Sequence, residues 1–241
     1  MKISVCMATY NGEKYIREQL ESILCQIGKE DEVIVSDDSS TDETVNIIKS
    51  FNDDRLIILE GQTFQSPTFN FENALKRATG QLIVLSDQDD LWRKDKIDKI
   101  KTYINQYDLI LSDAEIVDDK LNVVYESFFE INGSKQGLIN NLVKNSYMGC
   151  TMAFNRNILE KALPFPKDTP MHDVWIGLIA EVYGKILFID EKLISHRRHG
   201  GNASVTSEKS NNSIFKKIFF RLVLIKNLCI RLLTNLLNIK R

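Results

Sequence analysis

The first 87 residues alternate short apolar runs with amphipathic segments, and this order limits the possible folds more than any other feature. The apolar runs read KISVCMA, EVIVS, RLIILE and QLIVLS. Between them, for example from Glu13 to Ile27, apolar residues recur every three or four positions, which predicts helices. Strands that alternate with such helices favour a mostly parallel sheet that is covered on both faces. We therefore predict an α/β fold that begins βαβαβαβ.

Flanking residues predict where two of these helices begin. Ser40 or Thr41 would cap the second helix, because both precede a first turn rich in acids. Pro67 lies near the start of the third helix and Gly80 follows its end, as is typical of helices.

The second half of the chain is less regular. The runs YDLILSDAEIVD and SYMGCTMAF predict strands, a short helix is predicted at 157–163, and HDVWIGLIAEVYG predicts a longer helix. KILFIDEKLIS predicts a strand or a hairpin, which leads into the loop HRRHGGNAS. We divide the chain into one domain over residues 1–208, with halves at 1–105 and 106–208, and a C-terminal segment at 209–241.

The C-terminal segment has an unusual composition, since residues 213–241 contain seven Lys or Arg and no Asp or Glu. As a helix, it would carry Lys217, Arg221, Arg231 and three Asn on one side. Mostly opposite lie Phe215, Phe219, Leu222, Ile225, Leu232 and Leu236. Charges interrupt it too often for a membrane span. We predict a basic amphipathic helix on a membrane surface; the alternative is a helix packed on the body or on a partner subunit.

Bulk composition excludes some classes of function. The formal net charge of −2 provides no basic field for nucleic acid. The four cysteines have no metal-type spacing, which predicts reduced thiols in a cytoplasmic protein. No apolar stretch near the N-terminus is long enough for a signal peptide.

Polar residues follow three of the predicted strands, in ATYN, SDDSS and SDQDD. In parallel sheets, ligands bind outside the carboxyl ends of the strands, so the fold should gather these residues at one edge. Asp87, Asp89 and Asp90 repel one another unless a cation lies between them. Oxygen ligands suit Mg²⁺ or Mn²⁺ completed by the phosphates of a substrate. Taken alone, the acidic run also fits a solvated surface turn.

With these motifs in this order, the chain resembles the family 2 glycosyltransferases of the GT-A fold. The resemblance rests on VCMATYNGEKYIREQLESILCQ, VIVSDDSSTDET and GQLIVLSDQDDLW in the first 100 residues, and on HDVW and RRHGGNAS further along. Within that family, these motifs are most similar to those of the bacterial surface-polysaccharide group that includes rhamnosyltransferases. The resemblance implies inverting transfer of one sugar from a UDP- or dTDP-sugar to a glycan or a lipid-linked acceptor, next to the inner face of the cell membrane.

The resemblance also implies roles for residues of the first half. Ala8, Thr9 and Tyr10 would line the nucleoside pocket, with Glu13 nearby. Asp38 would accept a hydrogen bond from the base, a task that suits a carboxylate. Asp87 would contact the ribose or the sugar. Asp89 would bind the Mn²⁺ or Mg²⁺ ion that offsets charge on the leaving diphosphate.

In the second half, the resemblance makes Asp173 the base that takes the proton of the acceptor hydroxyl. Where the family usually reads Glu-Asp, this chain reads His172-Asp173, which leaves the role of the first position open. An acid in the first turn of a helix is the plain alternative for Asp173.

The basic loop after the last strand provides further candidates. His199 would complete the metal site, with His196 as the competing choice. Arg197 and Arg198 would bind the diphosphate or be solvated, and Gly200 and Gly201 would let the segment close as a lid.

Other interpretations stay open at this point. Met148 and Gly149 would lie near a sugar, while Trp92 and Trp175 fit either a sugar face or the core. A sugar-1-phosphate nucleotidyltransferase has a related sheet but needs a glycine-rich basic loop in place of ATYNGEKY. A non-catalytic nucleotide-sugar-binding protein would keep the same fold. The exposed apolar side of the C-terminal helix would also allow a homodimer.

Overall fold

The computed structural model describes residues 1–200 and 214–238, and its first half has the predicted order of strands and helices. Its elements are β1 (Ile3–Thr9), α1 (Ile16–Leu24), β2 (Glu32–Asp37), α2 (Thr44–Ser50), β3 (Leu56–Leu59), α3 (Pro67–Arg77) and β4 (Leu82–Ser86). The second half adds β5 (Leu91–Trp92), α4 (Lys96–Tyr103), β6 (Leu109–Val117), β7 (Val123–Tyr125), α5 (Phe128–Asn132), α6 (Leu138–Val143), β8 (Met152–Asn155), α7 (Arg156–Ala162), α8 (His172–Tyr183), β9 (Ile186–Arg197) and α9 (Ile214–Asn238).

One sheet joins the two halves, in the order β3-β2-β1-β4-β8-β6-β9-β5, with β7 beside β6. The pairs within β1 to β4 are parallel, as predicted, and so is the pair of β6 with β9. Strand β8 runs antiparallel to both of its neighbours. The start of β8 therefore lies at the same edge as the end of β4, which brings second-half residues to the predicted ligand-binding edge.

Helices cover both faces of the sheet, and each face has its own apolar core. On one face, Ile16 and Leu20 of α1 pack with Ile97 and Ile100 of α4, all nearly inaccessible to water. On the other face, helices α3, α7 and α8 bury a second set of side chains that includes Phe71, Leu159, Trp175 and Ile179. The strands between them are buried on both sides, which explains their continuous apolar runs. The predicted α/β architecture is confirmed.

The predicted cap of α2 is wrong. The helix begins at Thr44 rather than after Ser40 or Thr41. The Ser40 hydroxyl donates to Asp37 at 2.5 Å, so it does not cap the helix. Asp42 instead accepts from the Thr44 backbone N–H at 3.0 Å. The segment between β2 and α2 is thus held to the strand end by side chains, a tertiary effect that capping preferences do not foresee.

The C-terminal helix α9 is present and packs against the body of the protein. The Arg231 guanidinium donates to the backbone carbonyls of Lys161, Leu163 and Pro164. Arg221 donates in the same way to the carbonyls of residues 142 and 143. The polar residues of the predicted wheel therefore face the protein, which agrees with the alternative of a packed helix.

The opposite side of α9 exposes large apolar side chains. Phe215 is 85% exposed and Leu222 60% exposed. The outward strip, as we use the term below, comprises Phe215, Ile218, Phe219, Leu222, Ile225, Ile230 and Leu233. Among the described residues, every helix is too short or too polar to cross a bilayer. The Gly201 hinge and the boundary between residues 208 and 209 lie outside the described residues, so both stay predictions.

Candidate active site

A cavity of about 640 Å³ opens at the predicted edge of the sheet. Its wall combines the end of β1, the segments after β2 and β4, the segment before β8, and the start of α8. Residues between positions 8 and 196, which belong to both halves of the chain, thus meet in one place. The lining residues include Ala8, Thr9, Tyr10, Asp38, Asn70, Phe71, Asp87, Asp89, Met148, Gly149, His172, Asp173 and His196.

Asp38 lies at the β2 side of the cavity and is nearly buried. Its Oδ1 accepts from the backbone N–H groups of Phe64 and Gln65, and its Oδ2 accepts from the N–H of Ser66 at 3.3 Å. These bonds fix the carboxylate against the segment that precedes α3. Because Oδ2 accepts only one of them, it retains an acceptor site that can face a ligand.

Gln88 joins the segments that follow β1 and β4. Its side-chain amide accepts from the Tyr10 N–H at 2.9 Å and donates to the Tyr10 carbonyl at 3.1 Å. These bonds fix the backbone of Tyr10, although the residue as a whole is 57% exposed. A fixed backbone with an exposed ring beside Asp38 is an arrangement that allows stacking on a planar ligand. Sequence reasoning missed Gln88, since its role depends on a contact 78 positions away.

Asp87 and Asp89 face the cavity where β4 ends. Burial, and then the nearby Asp90 and Asp89, raise the pKa of Asp87 well above its ordinary value. Asp89 contacts His199, whose Nε2 lies 2.8 Å from its Oδ2. The two residues predicted to bind a metal therefore lie side by side. Neighbouring carboxylates repel one another, and this repulsion favours a divalent cation between them. The carboxylates and the imidazole would provide its oxygen and nitrogen ligands.

A second acidic group lies deeper and is already paired. The Asp90 carboxylate is fully buried, and its Oδ1 lies 2.9 Å from His196 Nδ1. Burial opposes the charge of His196, but Asp90 prevails and raises the pKa of His196 to about 9. Ligand atoms of Asp87, Asp90, Cys150 and His196 lie within 4.8 Å of one another. Burial also raises the pKa of the Cys150 thiol, and Asp90 and His196 pair with each other within this cluster.

Asp173 lies in the first turn of α8 and lines the cavity from the second half of the chain. Burial raises its pKa to about 6, although backbone N–H groups of Val174 and Gly149 partly oppose this shift. The Val174 N–H donates to Oδ1 at 2.7 Å. Asp87 also senses its charge, so the two carboxylates are close enough to interact. A pKa near neutrality suits a general base, because such a carboxylate is ionised at pH 7 yet accepts a proton readily.

Four predicted site residues, Glu13, Arg197, Arg198 and His199, are not among those that line the cavity, although His199 contacts Asp89, which lines it. The Glu13 carboxylate accepts from the Glu43 N–H at 2.9 Å, so it stabilises the start of α2 instead of lining the nucleoside pocket. The Arg197 guanidinium binds Glu18 at 2.7 Å and covers the Tyr15 ring at 4.5 Å. Arg198 is half-buried, and its backbone N–H donates to Val117. The geometry thus gives Glu13 and Arg197 structural partners.

Other residues near the site were not foreseen. Lys96 is fully buried, donates to the Cys150 carbonyl at 2.8 Å and lies over the Trp92 ring. Burial lowers its pKa to about 7. Trp92 and Trp175 belong to the apolar core, and Trp175 donates its ring N–H to the Ala162 carbonyl. The apolar spacing of α4 gave no sign that a lysine would point inward.

The fold and the cavity define a glycosyltransferase of the GT-A type. Residues 4–163 match the model of glycosyl transferase family 2, and the chain belongs to this family. The resemblance seen in the sequence is confirmed.

Three similar proteins place the chain more closely. The dTDP-rhamnosyl transferase RfbG of Shigella flexneri is 29% identical over 239 residues, which cover 92% of this chain and 79% of the relative. The Escherichia coli protein WfgD, named UDP-Glc:alpha-D-GlcNAc-diphosphoundecaprenol beta-1,3-glucosyltransferase, is 26% identical over 86% of this chain and 80% of its own length. The structure of S. aureus TarS in complex with UDP has a TM-score of 0.66 and 26% identity, and the match covers 82% of this chain but only 61% of that one.

Proposed function

We propose that the chain is a metal-dependent, inverting glycosyltransferase that moves one sugar from a nucleoside diphosphate sugar to a hydroxyl of a glycan or lipid-linked acceptor in bacterial surface-polysaccharide synthesis. The observation that carries this proposal is the shared cavity, which is lined by Asp38, Asp89 and Asp173 from three distant parts of the sequence. The names of RfbG and WfgD specify a dTDP-linked and a UDP-linked donor, respectively. They support a nucleoside diphosphate sugar as the donor of this chain.

Each wall of the cavity has a part in the proposed reaction. Ala8, Thr9 and Tyr10 surround the nucleoside, and Asp38 accepts from the base through its free acceptor site. Asp87 faces the ribose or the sugar. Asp89 and His199 would hold Mn²⁺ or Mg²⁺, which stabilises the negative charge of the departing diphosphate when it is bound.

Asp173 acts on the acceptor side. Its carboxylate takes the proton of the acceptor hydroxyl while that oxygen attacks the anomeric carbon from the face opposite the leaving group, which inverts the configuration. Burial supports this role because a desolvated carboxylate is a stronger base than one in water.

The outward strip of α9 supports contact with the inner face of the cell membrane. Lys216 and Lys217 lie next to Phe215 and Ile218, and the segment from 213 onward has no acidic residue. Exposed aromatic and aliphatic side chains beside lysines are typical of helices that bind anionic lipid surfaces. The WfgD name, which specifies a diphosphoundecaprenol acceptor, supports a membrane-linked substrate. A second copy of the chain is the competing occupant.

Donor turnover tests the transferase proposal. Purified protein with Mn²⁺ or Mg²⁺ and a panel of UDP- and dTDP-sugars should release nucleoside diphosphate. Asp89→Asn should lower release by ~100-fold or more because it weakens the metal site. Asp173→Asn should keep the affinity for nucleoside diphosphate while transfer falls by ~10²–10⁴-fold. Asp98→Asn, an exposed change on α4 outside the cavity wall, is the matched control.

The outcomes separate the competing functions. Pyrophosphate formed from a nucleoside triphosphate and a sugar phosphate would indicate a nucleotidyltransferase. Tight binding of nucleotide sugars without any release would indicate a binding protein. A normal transfer rate for Asp173→Asn would show that another group takes the proton.

A further inference from the structure

His172 lines the cavity beside Asp173, yet neither ring nitrogen has a hydrogen-bond partner within residues 1–200 and 214–238. The residue is only 4% exposed, so bulk water does not supply the missing partners. A buried polar group that is left unpaired costs about 1–3 kcal/mol. Unpaired buried groups in native proteins are few, and one that lines a substrate cavity is a candidate for binding a ligand.

Packing alone fixes the orientation of this ring. It stacks on Phe71 with ring centroids 4.1 Å apart and planes inclined by 26°. On the Nε2 side, residue 149 is glycine, and a Cβ there would lie 2.9 Å from Nε2. Any larger residue at position 149 would therefore push the imidazole away. Since apolar contacts hold the ring, no hydrogen bond to the described residues has to be broken before a ligand binds to its nitrogens.

The chemistry of the ring selects the class of ligand. Burial lowers the pKa of His172 to about 3, so the imidazole is neutral at physiological pH. A neutral imidazole has one donor and one acceptor nitrogen, which matches a hydroxyl group. It lacks the positive charge that favours phosphate. In the described part of the chain, the cluster of candidate metal ligands includes His196 but not His172.

We propose that His172 binds a hydroxyl of a sugar in the cavity and helps to select that sugar. The proposal rests on the transferase function proposed above. The hydroxyl belongs to the donor sugar or to the acceptor sugar, which present the same chemistry. Both nitrogens are covered in this structure, so the contact requires the imidazole or its neighbours to move when the sugar enters.

Substitutions distinguish this role from a structural one. His172→Phe and His172→Leu remove the two unpaired groups. The free energy of unfolding of both variants should therefore equal or exceed that of the wild type. Their affinity for UDP with Mg²⁺ should stay unchanged, while kcat/KM for nucleotide-sugar turnover falls by ~10-fold or more. His172→Gln keeps a donor and an acceptor and should restore most of the turnover. A structural role predicts the reverse: lower stability, and no rescue by Gln.

Two assays locate the hydroxyl. Slow hydrolysis of the donor in the absence of an acceptor should fall in His172→Phe if the donor sugar is bound. If only transfer to a short-chain GlcNAc-diphosphate lipid falls, the acceptor sugar is bound. Wild-type kcat/KM in both the Phe and Leu variants would overturn the proposal. Failure of the wild type to bind any nucleoside diphosphate would instead overturn the transferase function itself.

Nuclear magnetic resonance gives a readout that is independent of turnover. The chain has three histidines, so ¹⁵N-histidine labelling yields few ring signals, and His172→Gln assigns those of residue 172. With Mg²⁺ present, UDP alone should leave these signals in place. UDP-glucose, UDP-GlcNAc, a dTDP-sugar or the acceptor lipid should shift them when bound. Unmoved signals with every sugar that calorimetry shows to be bound would refute the contact.

Discussion

At the scale of single residues, Asp173 shows how burial prepares a carboxylate for chemistry at a cost in stability. The raised pKa means that the folded protein binds a proton at Asp173 more tightly than the unfolded chain does. Folding is therefore favoured by this group below pH 4, and that contribution is lost as the pH rises through about 6. At neutral pH the ionised carboxylate is retained although it weakens the fold, which is the usual trade-off at functional sites.

We expect Asp173→Asn to stabilise the protein at pH 7.5. Asparagine can still accept from the Val174 N–H but carries no charge to desolvate, so the free energy of unfolding should rise by ~1–3 kcal/mol. Urea unfolding at pH 7.5 and at pH 4 measures this. The gain should shrink at pH 4, where Asp173 in the folded protein is protonated and is therefore as uncharged as asparagine. A gain of the same size at both values would assign the effect to packing rather than to charge.

The rate of transfer should depend on the ionisation of the same carboxylate. With donor and metal saturating, we expect kcat to rise about tenfold per pH unit below the pKa of about 6 and to level off above it. The affinity for UDP, measured across the same range, shows whether the metal site titrates instead. A kcat that is constant from pH 5 to 8 would contradict the assignment of the base.

Sequence reasoning found the residues that follow strand ends but not the partners of charged side chains. Asp38 and Asp89 converge because the carboxyl ends of the parallel strands β2 and β4 share an edge. Asp173 reaches the same edge from the start of α8. Glu18, which holds Arg197, precedes it by 179 positions, and no local pattern records such a pair. The pair of Asp90 with His196 was missed for the same reason, although both residues belong to motifs that drew attention.

At the scale of elements, α9 shows the difference between amphipathicity and orientation. The predicted wheel placed Arg221 and Arg231 on the side opposite Phe215, Phe219 and Leu222, but it could not tell which side meets the protein. The carbonyls at the end of α7 lack partners within that helix, and Arg231 satisfies them. Polar residues therefore face inward because the protein offers acceptors there, together with the buried Val223, Leu224 and Leu228. The alternation of the first half, by contrast, was sufficient to predict every strand up to β4.

We expect two basic contacts of α9, those of Arg231 and Lys226, to differ in strength. Arg231→Met removes the bonds to three carbonyls and should lower the free energy of unfolding by ~1.5–3 kcal/mol. Lys226→Met is the matched control, because its ion pair with Asp168 is about half exposed and should contribute less than ~1 kcal/mol. Chemical denaturation of both variants in the same buffer compares them. Equal losses would show that Arg231 is not the principal anchor.

At the scale of the whole molecule, the outward strip is the surface that distinguishes a membrane-bound enzyme from a dimer. The double change Phe215→Ser and Phe219→Ser should weaken binding to anionic phospholipid vesicles by at least ~10-fold, since each phenylalanine contributes ~1.5–3 kcal/mol on burial. Flotation with vesicles measures this. Val124→Ser, an exposed apolar change on β7, should have no effect. A dimer in solution that the double change converts to a monomer would assign the strip to a second copy instead.

Helix α8 connects this outer surface with the reactive centre. Its first turn carries Asp173, and the adjacent Val174, together with Leu178 one turn on, packs against Leu224 of α9. The proton acceptor and the outward strip are consequently joined by a single rigid rod. If lipid holds the strip, the rod sets the height above the bilayer at which a hydroxyl can react.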